Sequence, residues 1–180
     1  DEADQSLGKR DSGSGDSGLS GRLYSMIAQE MSDSDNRGRL MWILASSRPD
    51  LIEVDLKRPG RVDVKIPLLP TTTVEESGAL LRALFKRFDI VLDAAAMAGM
   101  PLPLLLTPGA AEALAVKVYR LSRTGPMPPI EALAQCLEGY QPPVPRDVLE
   151  FQMRIAIREA TDLKFVPESL RHYADEAVAP

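Results

Sequence analysis

The chain has 180 residues, 44% of them hydrophobic and 26% charged, with a net charge of -5, which is the composition of an ordinary globular protein. The charges form no long basic block, so the composition gives no sign of a nucleic-acid-binding surface. The longest apolar stretch, residues 94–106, is interrupted by glycine and proline, which excludes a membrane span there. The single cysteine allows no internal disulfide, which excludes a disulfide-stabilised domain and favours a cytoplasmic setting.

The first part of the chain is predicted to alternate between helix and strand. Apolar residues recur at helical spacing from Leu19 onward and predict a helix that ends near Asp33. The run LMWILA, residues 40–45, is short, unbroken and apolar, which predicts a strand buried on both faces. In residues 62–66, apolar and charged side chains alternate, so a half-buried strand at the edge of a sheet is expected next.

After about residue 70 the apolar residues follow a helical period. Thr73 and Glu76 have the spacing of a capping box and predict the start of a helix. Thr107 followed by Pro108 predicts a second helix start, with a cap and a proline in the first turn. Two more apolar stripes indicate helices at 130–137 and 149–163.

The chain opens with Asp1 and Glu2, an acidic pair whose chemistry suits ATP hydrolysis. At the end of a buried strand, the first carboxylate of such a pair binds Mg²⁺ and the second orients or deprotonates the attacking water. Adjacent acids lie more often in a solvated turn, so the pair alone is a weak signal. The sequence has no G-x-x-x-x-G-K-[ST] loop and no initiator Met before the pair. We therefore expect a fragment of a longer protein.

The order of the motifs resembles that of the AAA ATPases, the ring-forming P-loop ATPases that remodel proteins. DEADQSLGKR is similar to the Walker B segment of that family, and SGRLYSMIAQEM to the helix after it. LMWILASSRPD resembles the strand that ends in a sensor residue, and VDLKRPGRVDVKIPLLP resembles the arginine-finger segment, which is the most specific match. LEGYQPPVPRDVLEF is similar to the lid motif. The resemblance covers about residues 1–88 and 130–173.

The resemblance implies roles for individual residues. Asp1 would bind Mg²⁺ and Glu2 would activate the attacking water. Ser47 falls where the family usually has a sensor Asn, and its shorter hydroxyl can still donate and accept hydrogen bonds. Arg58 and Arg61 match the fingers that reach the γ-phosphate bound to a neighbouring subunit. The alternative is a pair of surface arginines near a turn.

The lid departs from the family pattern in two places, whereas a polar run near the start of the chain agrees with it. Pro145 and Arg146 replace the expected Gly-Ala pair, and Arg146 is either a phosphate-binding residue or an exposed helical arginine. Residues 89–128 form an insertion between the first two lid helices, apolar enough to fold onto the lid or to dock a partner. The polar run at 11–18 stands where the family has its second pore loop.

The fold class implied is a partial P-loop α/β sheet without its N-terminal half, residues 1–70, followed by an all-α helical lid, residues 71–180. The intact protein is expected to bind ATP and Mg²⁺ and to remodel an unidentified protein substrate as a ring homo-oligomer, with a hexamer as the expected ring. Because the phosphate-binding loop is absent from this sequence, the fragment itself is expected to be inactive. No membrane or nucleic-acid partner is expected.

Two other functions remain open from the sequence. The chain could be a non-catalytic interaction module or adaptor whose helical part docks onto partners, and such a protein would have no phosphate-binding loop upstream. A DEAD-box helicase fragment would need a Ser-Ala-Thr motif after DEAD and a second α/β domain. The segments ASS and RPGR only imitate the helicase motifs, and the helical second half leaves no room for that domain.

Overall fold

A computed structural model describes residues 2–7 and 17–175 of the chain. The α-helices in those ranges are α1 (Ala3–Leu7), α2 (Ser17–Ser32), α3 (Val74–Phe85), α4 (Ala94–Met97), α5 (Pro108–Thr124), α6 (Pro129–Leu137) and α7 (Arg146–Glu159). Short 3-10 turns lie between them, and no β-strand is formed within the described ranges. None of these helices is long and apolar enough to cross a membrane.

The described residues form two compact units. The first, called the N-terminal unit below, contains the described residues up to Leu68 together with those from Glu150 onward. The second, called the helical unit, contains Leu69–Leu149.

The helical unit is built around α5, which packs on both α3 and α6. Its core side chains are fully excluded from solvent, among them Phe85 of α3, Val118 of α5 and Leu133 of α6. Burying apolar side chains of this size contributes about 1.5–3 kcal/mol each. The amphipathic stripes predicted for α3 and α5 are therefore confirmed, and that of α6 is confirmed except at Ala134, which was expected on the stripe and is exposed.

The starts of α3 and α5 follow the predicted capping chemistry. The backbone N–H of Glu76 donates to the Thr73 hydroxyl at 3.1 Å, and the Glu76 carboxylate accepts from the backbone N–H of Thr73 at 3.3 Å. The Thr107 hydroxyl accepts from the backbone N–H of Ala110 at 3.2 Å, with a proline at the next position. Both contacts satisfy amides that the helix itself leaves without an acceptor.

The segment between α3 and α5 folds into the core of the helical unit. Ile90, Met97 and Leu106 are buried within the cluster that α3, α5 and α6 form. The backbone of Thr71 pairs with this segment, since its N–H donates to the Leu106 carbonyl at 3.1 Å. This part of the insertion is thus built into the helical unit.

The N-terminal unit has a smaller core between α1, α2 and the 3-10 turns that follow. Leu7, Met31, Ile52 and Leu56 are buried in it, and Leu56 is fully excluded from solvent. The predicted helix over 19–33 is confirmed by α2, which begins two residues earlier and ends one residue sooner.

The two predicted strands, at 40–45 and 62–66, are not formed within the described residues. The first segment has no regular secondary structure, and Met41 is 85% exposed and Ile43 is 79% exposed. Val64 and Ile66 in the second segment are also exposed. A strand is defined by backbone hydrogen bonds to a neighbouring strand, and the described residues supply no such neighbour. The apolar pattern identifies the segment but not its partner.

The predicted final helix at 149–163 differs from α7 in its end and in its buried face. It ends at Glu159, because Asp162 caps a separate 3-10 turn by accepting from the backbone N–H of Lys164 at 2.9 Å. Its buried side chains are those of Met153, Ile155 and Ile157. Leu163, which was expected on the buried stripe, is exposed.

Candidate functional site

The predicted site residues fall in both units. Glu2, Ser47, Arg58 and Arg61 belong to the N-terminal unit, and Arg146 belongs to the helical unit, where it is exposed at the first position of α7. Asp1 and residues 11–16 of the predicted pore loop lie outside the described residues.

The acidic N-terminal segment lies against the end of the apolar segment 40–45. The backbone N–H of Ala3 donates to the Ala45 carbonyl at 2.9 Å. The Ser46 hydroxyl donates to the Asp4 carboxylate and accepts from the backbone N–H of Arg48 at 2.9 Å. These contacts join the residues that directly follow Glu2 to those that flank Ser47.

Glu2 and Ser47 are both exposed. The backbone of Glu2 is left-handed, with φ of 51°, a conformation that costs a non-glycine residue roughly 1–2 kcal/mol. Backbone strain of this kind occurs preferentially at functional sites. Asp4 and Ser46 join the start of the chain to the residues around Ser47. Neither was predicted from the sequence as a site residue, although each lies within two residues of one.

Arg48 forms a bidentate ion pair at the same end of the segment. Its Nε lies 3.0 Å and its Nη2 2.8 Å from the two carboxylate oxygens of Asp50. The Arg48 hydrogen bond lowers the pKa of the Asp50 carboxyl, against the opposing effect of partial burial. The Arg48 guanidinium also stands over the Phe151 ring, 5.2 Å from its centroid. Arg48 is thereby fixed on two sides.

The predicted finger residues Arg58 and Arg61 are joined by a tight turn. The backbone N–H of Arg61 donates to the Arg58 carbonyl at 3.2 Å, and Gly60 has φ of 88°. An Arg58 Nη2 atom lies 3.0 Å from the Asp55 carboxylate. Arg61 donates from Nε to the Ser32 hydroxyl at 2.8 Å and from Nη1 to the Asp55 carbonyl at 2.9 Å. An open depression of about 560 Å³ lies between Arg61 and α2.

The residues from 150 onward in the N-terminal unit contact the segment around the turn. Glu159 accepts from Lys57 Nζ at 2.6 Å, and its other oxygen lies 3.8 Å from Lys65 Nζ. The backbone N–H of Thr161 donates to the Lys65 carbonyl at 3.2 Å. These contacts join positions about a hundred residues apart and had no local sequence signal.

The residues the structure describes form no group of three histidine, cysteine, aspartate or glutamate side chains that would hold a metal ion. Of the predicted acidic pair, only Glu2 lies within the described ranges. The chemistry of an acidic pair suits Mg²⁺, which is usually held by one or two carboxylates together with substrate phosphates.

Residues 1–70 match the family model described as ATPase family associated with various cellular activities (AAA). Residues 1–70 are thus similar to this family, in agreement with the resemblance that their motifs predict.

Several curated proteins are similar to about half of the chain. Peroxisomal ATPase PEX6 of Candida glabrata is 33% identical over 94 residues, which cover 52% of this chain and 9% of that protein. Putative ribosome biogenesis ATPase nvl of Dictyostelium discoideum is 33% identical over 96 residues, which cover 52% of this chain and 11% of that protein. Protein mac-1 of Caenorhabditis elegans is 34% identical over 82 residues, which cover 46% of this chain and 10% of that protein. The chain thus spans about a tenth of the length of these relatives. No solved structure matches it significantly.

Proposed function

We propose that this chain is part of an AAA ATPase that couples ATP hydrolysis to the remodelling of a protein or a complex. The observation that carries the proposal is the family match over residues 1–70, which contains the acidic pair, the sensor serine and the two arginines in the family's order. The contact between Ala3 and Ala45 supports it, because it sets the segment after the acidic pair against the end of the segment that leads to Ser47.

In this proposal, residues 1–70 are the C-terminal part of the α/β nucleotide-binding subdomain and residues 71–180 are the helical lid with its insertion. The exposed apolar side chains of Met41 and Ile43 support this assignment. Unbroken apolar runs of this kind are typical of strands covered on both faces in a parallel sheet. Further strands of the intact protein would supply the missing cover.

The proposed chemistry is hydrolysis of ATP with Mg²⁺. Asp1 holds the metal, Glu2 orients or deprotonates the attacking water, and Ser47 hydrogen-bonds the water or the γ-phosphate. Arginine from the R-P-G-R turn neutralises charge that develops on the γ-phosphate of a neighbouring subunit. Because this arginine acts between subunits, the working form is a ring homo-oligomer, with a hexamer as the expected ring.

The 180-residue chain alone is proposed to be inactive. Its sequence contains no phosphate-binding loop, and the backbone amides and lysine of that loop supply much of the electrostatic stabilisation for phosphoryl transfer. Robust Mg²⁺-dependent ATP turnover by this chain would refute this part of the proposal.

The test is ATP hydrolysis by the full-length protein and by its Glu2→Gln and Arg58→Ala variants. Each change is expected to abolish turnover, and mixing the two variants is expected to restore part of it, because a mixed ring contains sites with both groups intact. Glu138→Gln and Arg120→Ala, two exposed changes in the helical unit, serve as controls and should leave turnover unchanged. Turnover that is absent, or indifferent to both site changes, would favour the interaction-module function.

A further inference from the structure

The two arginines of the R-P-G-R turn make different contacts, although the motif treats them alike. From these contacts we infer that Arg61 is a positioning residue that anchors the turn to α2, and that Arg58 is the arginine presented to the neighbouring subunit. The inference rests on the proposed function and adds a division of labour within it.

The turn couples the two arginines through the backbone. Pro59 and Gly60 occupy its central positions, and the left-handed φ of Gly60 together with a preceding proline is typical of a type II turn. The hydrogen bond from the Arg61 N–H to the Arg58 carbonyl closes it at 3.2 Å. The Gly60 N–H also donates to the Asp63 carboxylate at 2.6 Å. Fixing Arg61 therefore fixes the position of Arg58.

Arg61 is held at two points that belong to different elements. Its Nε donates to the hydroxyl of Ser32, the last residue of α2, and that hydroxyl donates in turn to the Ala28 carbonyl at 2.6 Å. Its Nη1 donates to the Asp55 carbonyl in the 3-10 turn Val54–Lys57. Both elements are packed in the core of the N-terminal unit, through Met31 on α2 and through Leu56, the residue after Asp55.

Arg58 makes a single side-chain contact, in place of the two that Arg61 makes. Its side chain is 70% exposed, and its ion pair is with the Asp55 carboxylate, which is also more than half exposed. Exposed pairs of this kind contribute little and are screened by salt, so Arg58 is released at small cost. For Arg61 to reach a phosphate, by contrast, both of its hydrogen bonds would have to break. The residue that is free to move is Arg58.

The first test compares kcat for ATP in variants of the full-length protein. Arg58→Ala should lower kcat by about 10³-fold or more, the effect of removing an arginine finger. Arg61→Ala should lower it less, by up to about 10²-fold, because it displaces the finger rather than removing it. The variant with both changes should be no slower than Arg58→Ala, since Arg61 acts through Arg58. Losses that multiply in the double variant would overturn the inference.

Ser32 provides a more selective perturbation of the same anchor. Ser32→Ala should lower kcat in the same direction as Arg61→Ala, and Ser32→Thr, which keeps the hydroxyl, should restore it. Ser25→Ala is the matched control, because Ser25 lies on the same helix and its hydroxyl donates to the Gly21 carbonyl at 2.8 Å. An equal effect of Ser25→Ala and Ser32→Ala would contradict a specific anchor.

The anchor is also tested without activity, so that it is independent of the proposed function. In thermal unfolding of the full-length protein, Ser32→Ala should lower Tm more in the wild-type background than in the Arg61→Ala background, where only the bond to the Ala28 carbonyl remains to be lost. Additive losses of Tm would show that the two side chains do not share a bond and would overturn the inference. If the wild-type protein hydrolyses no ATP, the proposed function fails while this measurement still decides the anchor.

Discussion

Glu159 holds two lysines in the N-terminal unit, and its charge can be removed with little change of shape. Its carboxylate lies 2.6 Å from Lys57 Nζ and 3.8 Å from Lys65 Nζ. The side chain of Lys57 is only 13% exposed and that of Glu159 is 25% exposed. The substitution Glu159→Gln keeps an oxygen that accepts from Lys57 but leaves both lysine charges without their counter-charge.

The expected loss follows from the geometry. Two unit charges about 4 Å apart attract by roughly 4 kcal/mol at an effective dielectric constant of ~20, before the cost of desolvation is subtracted. Lys57 also donates to the Pro49 carbonyl at 2.7 Å, and that bond remains in the variant. A net loss of about 1.5–2 kcal/mol in the free energy of unfolding is therefore expected, as for a hydrogen bond to a charged group.

Glu112→Gln is the matched control. Glu112 pairs with Arg87 at 2.9 Å, a similar distance, but the two side chains are 46% and 62% exposed. Exposed pairs contribute at most about 1 kcal/mol, so this variant should lose less, and salt should reduce its loss further. The comparison isolates the effect of burial.

Urea unfolding of the chain, followed by circular dichroism for both variants and by tryptophan fluorescence for Glu159→Gln, measures the effect. Trp42 is the single tryptophan of the sequence and lies in the N-terminal unit, so its emission reports on the unit that contains Glu159, while the helices that circular dichroism detects lie in both units. A loss of this size should lower the urea midpoint by roughly 0.5–2 M for a typical slope. An unchanged midpoint, or a shift no larger than that of Glu112→Gln, would mean that desolvation cancels the attraction and would refute the reasoning.

Two further predictions concern a helix cap and an ion pair. Thr73→Ala should destabilise the chain by about 1 kcal/mol in thermal unfolding followed by circular dichroism, since it opens the capping box of α3. The control is Thr124→Ala, because the Thr124 hydroxyl donates only to a carbonyl of its own helix, so this change should lower the stability less. Equal losses of stability in the two variants would contradict the role of the cap. Because Arg48 lowers the pKa of Asp50, the stability from this pair is present above the unfolded pKa of about 3.9 and is lost as the pH falls through the lower folded value. Asp50→Asn should therefore unfold earlier than wild type near neutral pH, and a gap in Tm that persists unchanged into strong acid would contradict the prediction.

The helices could be predicted from the sequence because their determinants are local. Thr73 and Glu76 are three residues apart, and each satisfies the backbone amide of the other. Thr107 and Pro108 act in the same way at the start of α5. The turn between Arg58 and Arg61 is equally local, since Pro59 and Gly60 favour its backbone angles whatever surrounds it.

The strands could not be predicted with the same success, because a strand depends on its neighbour. The run at 40–45 has the composition of a buried strand, yet Met41 and Ile43 are exposed where the described residues provide no adjacent strand. The buried face of α7 was predicted only in part, because Met153 is buried as expected but Leu163 is not. Met153, Ile155 and Ile157 are buried at a spacing of two, which no single helical stripe produces.

The same distinction between local and distant contacts separates the two arginines of the turn. The letters R-P-G-R specify the turn and its two guanidinium groups, but they do not determine which group is free to reach a neighbouring subunit. That choice depends on Ser32, which precedes Arg61 by 29 residues and belongs to another element. The Ser32 hydroxyl, at the end of α2, accepts a hydrogen bond from Arg61 and makes that residue the anchor of the turn, whereas Arg58 remains exposed. Substituting Ser32 therefore tests the assignment of the finger without removing either arginine.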